Sequence, residues 1–169
     1  WAGGVKAKLP LGIKLNIENE PFASRTIYTN RQITGTTAPY TASEANSLKK
    51  VNLSTLFGSG STALFLNDPD KNYWLNFLGY DVGIAENIAS LGDLTSKEYR
   101  ELGSVMHSTP IMLTQEGKIT VADGKLTTTG RKDYLMFGST QGALHVVDDE
   151  GKEVFAFVPH EMMKNQKNA

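Results

Sequence analysis

The sequence predicts a mainly β fold, an antiparallel meander with one or two short helices and long loops, and three observations lead to it. Glycine is plentiful, 16 of 169 residues, and Ser and Thr are common, a composition suited to turn-rich strands. The last third contains short runs rich in β-branched and aromatic residues: Val105 to Thr114, Lys118 to Val121, Tyr134 to Gly138, Ala143 to Val147 and Glu153 to Val158. Glycine-bearing pairs separate those runs, namely Glu116-Gly117, Asp123-Gly124, Gln141-Gly142 and Glu150-Gly151. Such a sheet is one blade of a propeller or one layer of a sandwich, and it buries both faces only when neighbours stack on it.

The earlier elements read less regularly. Val5 to Ile17 alternates apolar residues with Lys and Asn around Pro10 to Gly12, which predicts two short strands. Ser24 to Thr29 predicts another strand, followed by a turn-prone stretch over Thr29 to Thr36. Thr34 to Ser47 is loop-like around Pro39, with a helix start at Thr41 to Glu44. Gly58 and Gly60 break regularity between Ser54 and Ser61. Asn67-Asp68-Pro69-Asp70 is a strong turn signal, and the apolar Tyr73 to Leu78 after it predicts a helix with Asp68 or Asp70 near its cap. Asp81 to Glu101 reads as a polar, mobile loop with one helical turn at Ser96 to Arg100.

Composition removes several functions. Seventeen Lys and Arg against eighteen Asp and Glu give a net charge of -1, so no excess of positive charge attracts nucleic acid or an anionic membrane. The absence of cysteine excludes disulfides, thiolate metal sites and thiol catalysis, yet fits the periplasm or cell surface as well as the cytosol. No apolar run reaches the roughly 18 residues a bilayer span needs. The chain starts at Trp1 with no signal peptide in view, which reads as a piece cut from a longer protein.

Candidate chemistry is sparse. Asp68, Asp70 and Asn72 place oxygen ligands at alternate positions, as the first half of an EF-hand-type calcium loop does. Tyr73 then stands where that loop requires Gly, and Gly79 where it requires the bidentate Glu, so a capped turn is the competing reading. His107, His145 and His160 lack zinc-motif spacing. His107 with Ser108, Ser139 and Asp148 supplies the letters of a catalytic triad, without a nucleophile elbow around either serine. Gly58-Ser59-Gly60-Ser61 lacks the Lys-Ser/Thr of a phosphate loop. Tyr73, Trp74, Phe77 and Tyr80 could form a sugar platform, but their close spacing reads first as helix core. Glu161 to Ala169 is polar and reads as a frayed end.

The most specific text is Tyr134 to Met163, YLMFGSTQGALHVVDDEGKEVFAFVPHEMM. It resembles the blade motif of the C-terminal propeller in the PilC/PilY family of type IV pilus-tip proteins. That motif pairs a Gly-x-x-x-Gly-x-Leu-His turn with an Asp, Gly-Lys-Glu and a Phe-Ala-Phe-Val-Pro strand. Leu102 to Pro110 is similar to the family's Leu-Gly-Asp-x-x-His-Ser-x-Pro strand, with Ser104 in place of the acid. Trp1 to Gly4 followed by Arg25 to Thr29 resembles the opening of the same propeller. The resemblance implies that residues 1–169 are a fragment of a single β-propeller domain, its opening and first part, with a variable loop at about 81–101. It implies a non-enzymatic structural and adhesive module acting in pilus biogenesis and host-cell adhesion, at the pilus tip or outer membrane of a Gram-negative bacterium. Expected partners are the remainder of the same propeller, pilus-tip minor pilins and a host-cell surface receptor. No cofactor is expected in this chain, with calcium at Asp68, Asp70 and Asn72 as the exception considered. The family's own calcium loop is expected outside the chain. The alternatives are a calcium-dependent binding module and a quinoprotein-like propeller enzyme, whose acid-and-arginine cofactor site the sequence does not display.

Overall fold

The structure, a computed structural model, describes residues 4–10, 25–33, 41–42, 48–106 and 108–165. Val5–Lys8, the start of the first predicted strand, forms instead a single helical turn, α1. Four alternating residues suit one helical turn as well as a strand, and packing decides: Val5 and Leu9 close on Leu102, Phe137 and Val147. The second predicted strand, beyond Pro10, lies outside the described residues. β1 (Ile27–Thr29) fills the second half of the strand expected at Ser24 to Thr29. Just beyond Asn30, β2 (Arg31–Gln32) pairs antiparallel with β3 (Thr41–Ala42), so extended backbone replaces the first two residues of the predicted helix start. The other two, Ser43 and Glu44, lie outside the described residues.

β4 (Lys49–Val51) pairs antiparallel with β1 and leads into α2 (Leu53–Phe57), a helix the sequence reading did not contain. A reciprocal cap makes so short a helix viable. The Asn52 side chain accepts from the Thr55 amide at 2.9 Å, and Thr55 Oγ1 accepts from the Asn52 amide at 3.0 Å. Gly58 follows because a Cβ there would lie 2.3 Å from the Ser54 carbonyl oxygen.

α3 (Lys71–Leu78) is the predicted helix, preceded by the predicted Asn67 to Asp70 turn. It stops at Gly79 (φ 99°), which takes the left-handed conformation. The Gly79 amide donates to the Asn76 carbonyl and the Tyr80 amide to that of Leu75, the two bonds of a Schellman close. The 81–101 stretch is irregular but anchored: Val82, Ile88 and Leu94 are buried in the core, and Tyr80 bridges Glu98. The helical turn predicted at Ser96 to Arg100 falls earlier, at Leu91–Leu94, where Ser90 and Asp93 cap a 3-10 turn. Ser96 has φ 62°, which a right-handed turn cannot contain.

In the last third the runs from Tyr134 to Val158 form strands to within a residue of the prediction, whereas the run read from Val105 becomes strand only at Ile111, with Val105, Met106 and Ser108 to Pro110 in no strand. β5 (Ile111–Ala122) and β6 (Lys125–Gly138) are joined by Asp123-Gly124, both with positive φ, as a tight primed turn requires. The Glu116-Gly117 pair, read as a turn, is instead an irregularity within β5. β7 (Leu144–Asp148) and β8 (Glu153–Phe157) complete the antiparallel meander, and α4 (His160–Asn165) follows. The six-stranded sheet has the order β4-β1-β8-β7-β6-β5. Every neighbouring pair is antiparallel except β1 and β8, which run parallel. The chain is thus mainly β, with a mixed sheet and a few short helices.

The main core lies where α3 meets the strands and α2: Trp74, Leu75, Phe77 and Leu78 pack with Ile27, Val51, Leu56, Phe65, Val158 and Met163. Trp74 is fully buried, 5.8 Å from the Phe65 ring and 6.2 Å from Phe77, and its Nε1 donates to Asp68 Oδ2 at 2.8 Å. Trp74→Ala is expected to cost about 3–5 kcal/mol of unfolding free energy in urea titration. Trp74→Phe, which keeps most of the volume but strands a carboxylate oxygen, is expected to cost about 1–3 kcal/mol.

Candidate functional site

Two buried arginines stand on either side of β1, and each gathers acidic or polar partners from distant segments. Arg31 is fully buried and donates from one terminal nitrogen to Asp68 Oδ1 at 2.7 Å and to Asp70 Oδ2 at 2.6 Å. Asp68 also accepts from its own turn, through the Asp70 amide at 2.9 Å, and from Trp74 Nε1. The two carboxylates proposed from sequence as cation ligands are therefore brought together, around a guanidinium. Asn72 faces elsewhere: its Nδ2 donates to the carbonyls of Gly83, Ile84 and Glu86 at 2.7 to 3.2 Å. A calcium ion between Asp68 and Asp70 would have to displace Arg31, and Asn72 would have to turn to join it. The residues as placed fit an ion pair with the arginine better than they fit the metal.

Arg25 makes the second cluster. Its Nε and one terminal nitrogen grip the Glu153 carboxylate at 2.5 and 2.8 Å in the fork geometry specific to arginine. The other terminal nitrogen donates to the Phe77 carbonyl at 2.8 Å and to that of Glu101 at 3.3 Å. Glu153 Oε1 also lies 2.7 Å from His145 Nδ1, and His145 Nε2 lies 2.8 Å from Ser139 Oγ. The His145 ring is fully buried and stacks on Phe137 at 5.2 Å.

Ser139, His145 and Glu153 thus form a serine–histidine–carboxylate chain, assembled from partners that the sequence did not pair. His107 lies outside the described residues. Ser108 Oγ accepts from the Gly138 amide and so ties the segment before β5 to the end of β6, while Asp148 Oδ1 accepts from the amides of Glu150 and Lys152 and closes the turn after β7. Among the described residues, Ser139 is the one of those letters that reaches a histidine, and it reaches His145. An acyl-transfer site also needs amide donors aimed at a developing oxyanion. Around Ser139 those donors are committed: its own amide to Ala143, that of Thr140 to Ser104 and that of Gly142 to Ser139. The geometry suits a structural polar network linking β7, β8, the end of α3 and the segment before β1.

Burial alone would raise the Glu153 carboxyl, but the hydrogen bonds from Arg25 and His145, with their charge, outweigh it and hold Glu153 below the usual carboxylate range. A carboxyl lowered in the folded state stabilises the fold above its unfolded value, about 4.3, and that contribution is lost as pH falls through the lower folded value.

The remaining sequence candidates are core or surface elements. Trp74, Phe77 and Tyr80 are buried, and of that aromatic group only Tyr73 is partly exposed. Tyr73 lines an open recess of about 380 Å³ with Asn76, Asp81, Tyr99, Glu101 and Gln141 among others. There the Tyr99 hydroxyl donates to Glu101 Oε2 at 2.5 Å, which raises the phenol and lowers the carboxyl. The His160 amide donates to Asn30 Oδ1 at 2.8 Å and fixes the start of α4. Gly58 and Ser59 join α2 to a 3-10 turn, Gly60–Thr62, which contains Gly60 and Ser61. Among the described residues no three His, Asp or Glu side chains converge as a metal site would require, and no helix is long and apolar enough to cross a membrane. No protein-family model, no curated protein and no solved structure matches the chain.

Arg31→Met, which leaves two buried carboxylates facing each other, is expected to lower stability by about 3–5 kcal/mol in denaturant titration. Glu153→Gln is expected to flatten the loss of stability between about pH 5 and pH 3 relative to the parent, in thermal melts across that range.

Proposed function

We propose that the chain is a non-enzymatic structural and adhesive module of a type IV pilus-tip protein, built as part of a β-propeller and displayed at the bacterial surface. The observation that carries this reading is the coincidence of the PilC/PilY-like motif with one continuous meander. Tyr134 to Val158 lies on β6, β7 and β8 in antiparallel succession. Gly142 and Gly151, the glycines of the motif, take φ of 79° and 76° in the two connecting turns. The motif residues therefore do what a blade motif needs: tight reversals and strands presenting alternate faces. His145, Phe137 and Val147 lie on the buried side with Leu9 and Leu102, while Asp148 closes the following turn.

The structural role is supported further by the commitment of the buried histidine, serine and carboxylate to holding strands together. An uncovered apolar hairpin supports a partner-dependent setting: Ile119, Val121 and Leu126 are 67–74% exposed. The parallel β1–β8 pairing is a departure from a purely antiparallel blade and gives the N-terminal strand a place beside the last strand.

In the source bacterium, deleting the coding segment for residues 111–165 is expected to reduce surface piliation and host-cell adherence, read by electron microscopy and adherence counts. Antibodies to the chain are expected to label pilus tips. Unchanged piliation and adherence, with no surface labelling, would remove the proposal.

A further inference from the structure

We infer that the recess beside the end of α3 is a socket for a guanidinium group, the side chain of an arginine presented by a protein partner. The inference stands apart from the pilus reading and can fail without it.

The chain that follows α3 builds the recess. Gly79 to Asp81 runs beside Lys97 to Tyr99: the Asp81 amide donates to the Lys97 carbonyl and the Tyr99 amide to that of Gly79, each at 2.7 Å, around the Tyr80–Glu98 bridge. Tyr80 is fully buried in the core, so alternation turns Asp81, and Tyr99 on the facing segment, to the opposite side. There they line the recess with Glu101, with Tyr73 of α3 and with Ile84, which is 63% exposed.

The hydrogen bonds already made select the sign of the occupant. Several donors at the recess are committed: the Asn76 side chain donates to the Val82 carbonyl, the Val82 amide to Asn76 Oδ1, the Gly83 amide to Glu86 and the Tyr99 hydroxyl to Glu101. The two acids, by contrast, keep acceptor capacity. Glu101 takes one bond on each oxygen, from Tyr99 and from the Gly103 amide at 3.2 Å, about half of what a carboxylate can accept. Asp81 is exposed and forms no ion pair among the described residues. The Tyr99 hydrogen bond, helped by the Gly103 amide and the charge of Lys6, outweighs burial and holds the Glu101 carboxyl below the usual range, so it is ionised at neutral pH.

A cation of the chain itself already stands at this wall: Lys6 Nζ lies 5.9 Å from the centre of the Tyr99 ring. Carboxylates beside tyrosine rings suit arginine better than lysine, because the planar fork meets carboxylate oxygens, its face stacks on an aromatic ring, and it is the more weakly hydrated cation. A volume of about 380 Å³ lies at the low end for ligand sites and has room for one such side chain. The walls are braced before anything binds, which lowers the cost of ordering them.

The test titrates the tripeptide acetyl-Gly-Arg-Gly-amide into the full 169-residue chain and follows NMR chemical shifts. A single anchor is expected to bind with Kd of about 1 mM and to move the resonances of Tyr73, Asp81 and Tyr99 first. The citrulline counterpart, which keeps the shape and removes the charge, is expected to bind about tenfold more weakly, and the lysine counterpart about threefold. Asp81→Asn and Glu101→Gln are each expected to weaken binding by about fivefold. Lys6→Ala is expected to tighten it, since a competing ammonium is removed, an effect that damage to the recess would not produce. Circular dichroism melts serve as the folding control, and Asp81→Asn is expected to leave them unchanged. Absence of shifts at the recess at the highest soluble peptide concentration would overturn the inference. So would citrulline or lysine peptides that bind as tightly as the arginine peptide, or an affinity indifferent to Asp81→Asn.

Discussion

The buried pairing of two arginines with acids and carbonyls around α3 is the constraint on which the rest of the structure depends. Arg31 holds the turn before α3 through Asp68 and Asp70, and Arg25 holds the last turn through the Phe77 carbonyl. Between them lies β1, only three residues long, with Ile27 and Thr29 buried. So short a strand gains little from its own ladder. Its flanking cations pin the helix at both ends, and the pinned helix delivers Trp74, Leu75 and Leu78 to the sheet.

The same pairing explains why buried charge is tolerated. A guanidinium removed from water costs several kcal/mol unless its donors are met by well-placed acceptors. Arg25 meets a carboxylate in the fork geometry and two main-chain carbonyls, and Arg31 meets two carboxylates. Glu153 in turn brings β8 to the same point, with His145 of β7 and Ser139 of the connecting turn behind it. Such a network confers geometric specificity more than net stability, because a strand shifted by one residue would leave its charges unmatched. Its hydrogen bonds are committed internally, consistent with a structural role for this centre.

Local patterns in the sequence were good guides and distant pairings were not. The meander over β6 to β8 was legible because Gln141-Gly142 and Glu150-Gly151 mark turns between short apolar runs. α3 was legible as a helix because Asp68 and Asp70 stand near its start; Asp70 is the N-cap residue, but its side chain makes no cap hydrogen bond and pairs with Arg31 instead. α1 and α2 were missed because each spans only four or five residues and exists through packing or a cap. Glu116-Gly117 and Asp123-Gly124 carry the same kind of turn signal, and only cross-strand register distinguishes an irregularity from the true reversal. At the candidate sites the acids at Asp68 and Asp70 were singled out for their spacing. The partner they meet, Arg31, is 37 and 39 residues away and leaves no local signature. Arg25 and Glu153, separated by 128 residues, were beyond any pattern rule, and Arg25 reads only as part of the strand predicted at Ser24 to Thr29.

Native-state hydrogen exchange of the α3 and β1 amides, in the parent chain and in Arg31→Met, tests this account most directly. If the arginines clamp the helix to the strand, both segments exchange through one cooperative opening in the parent, and both lose protection together in the variant. Protection of α3 that is unchanged in Arg31→Met, or lost independently of β1, would contradict it.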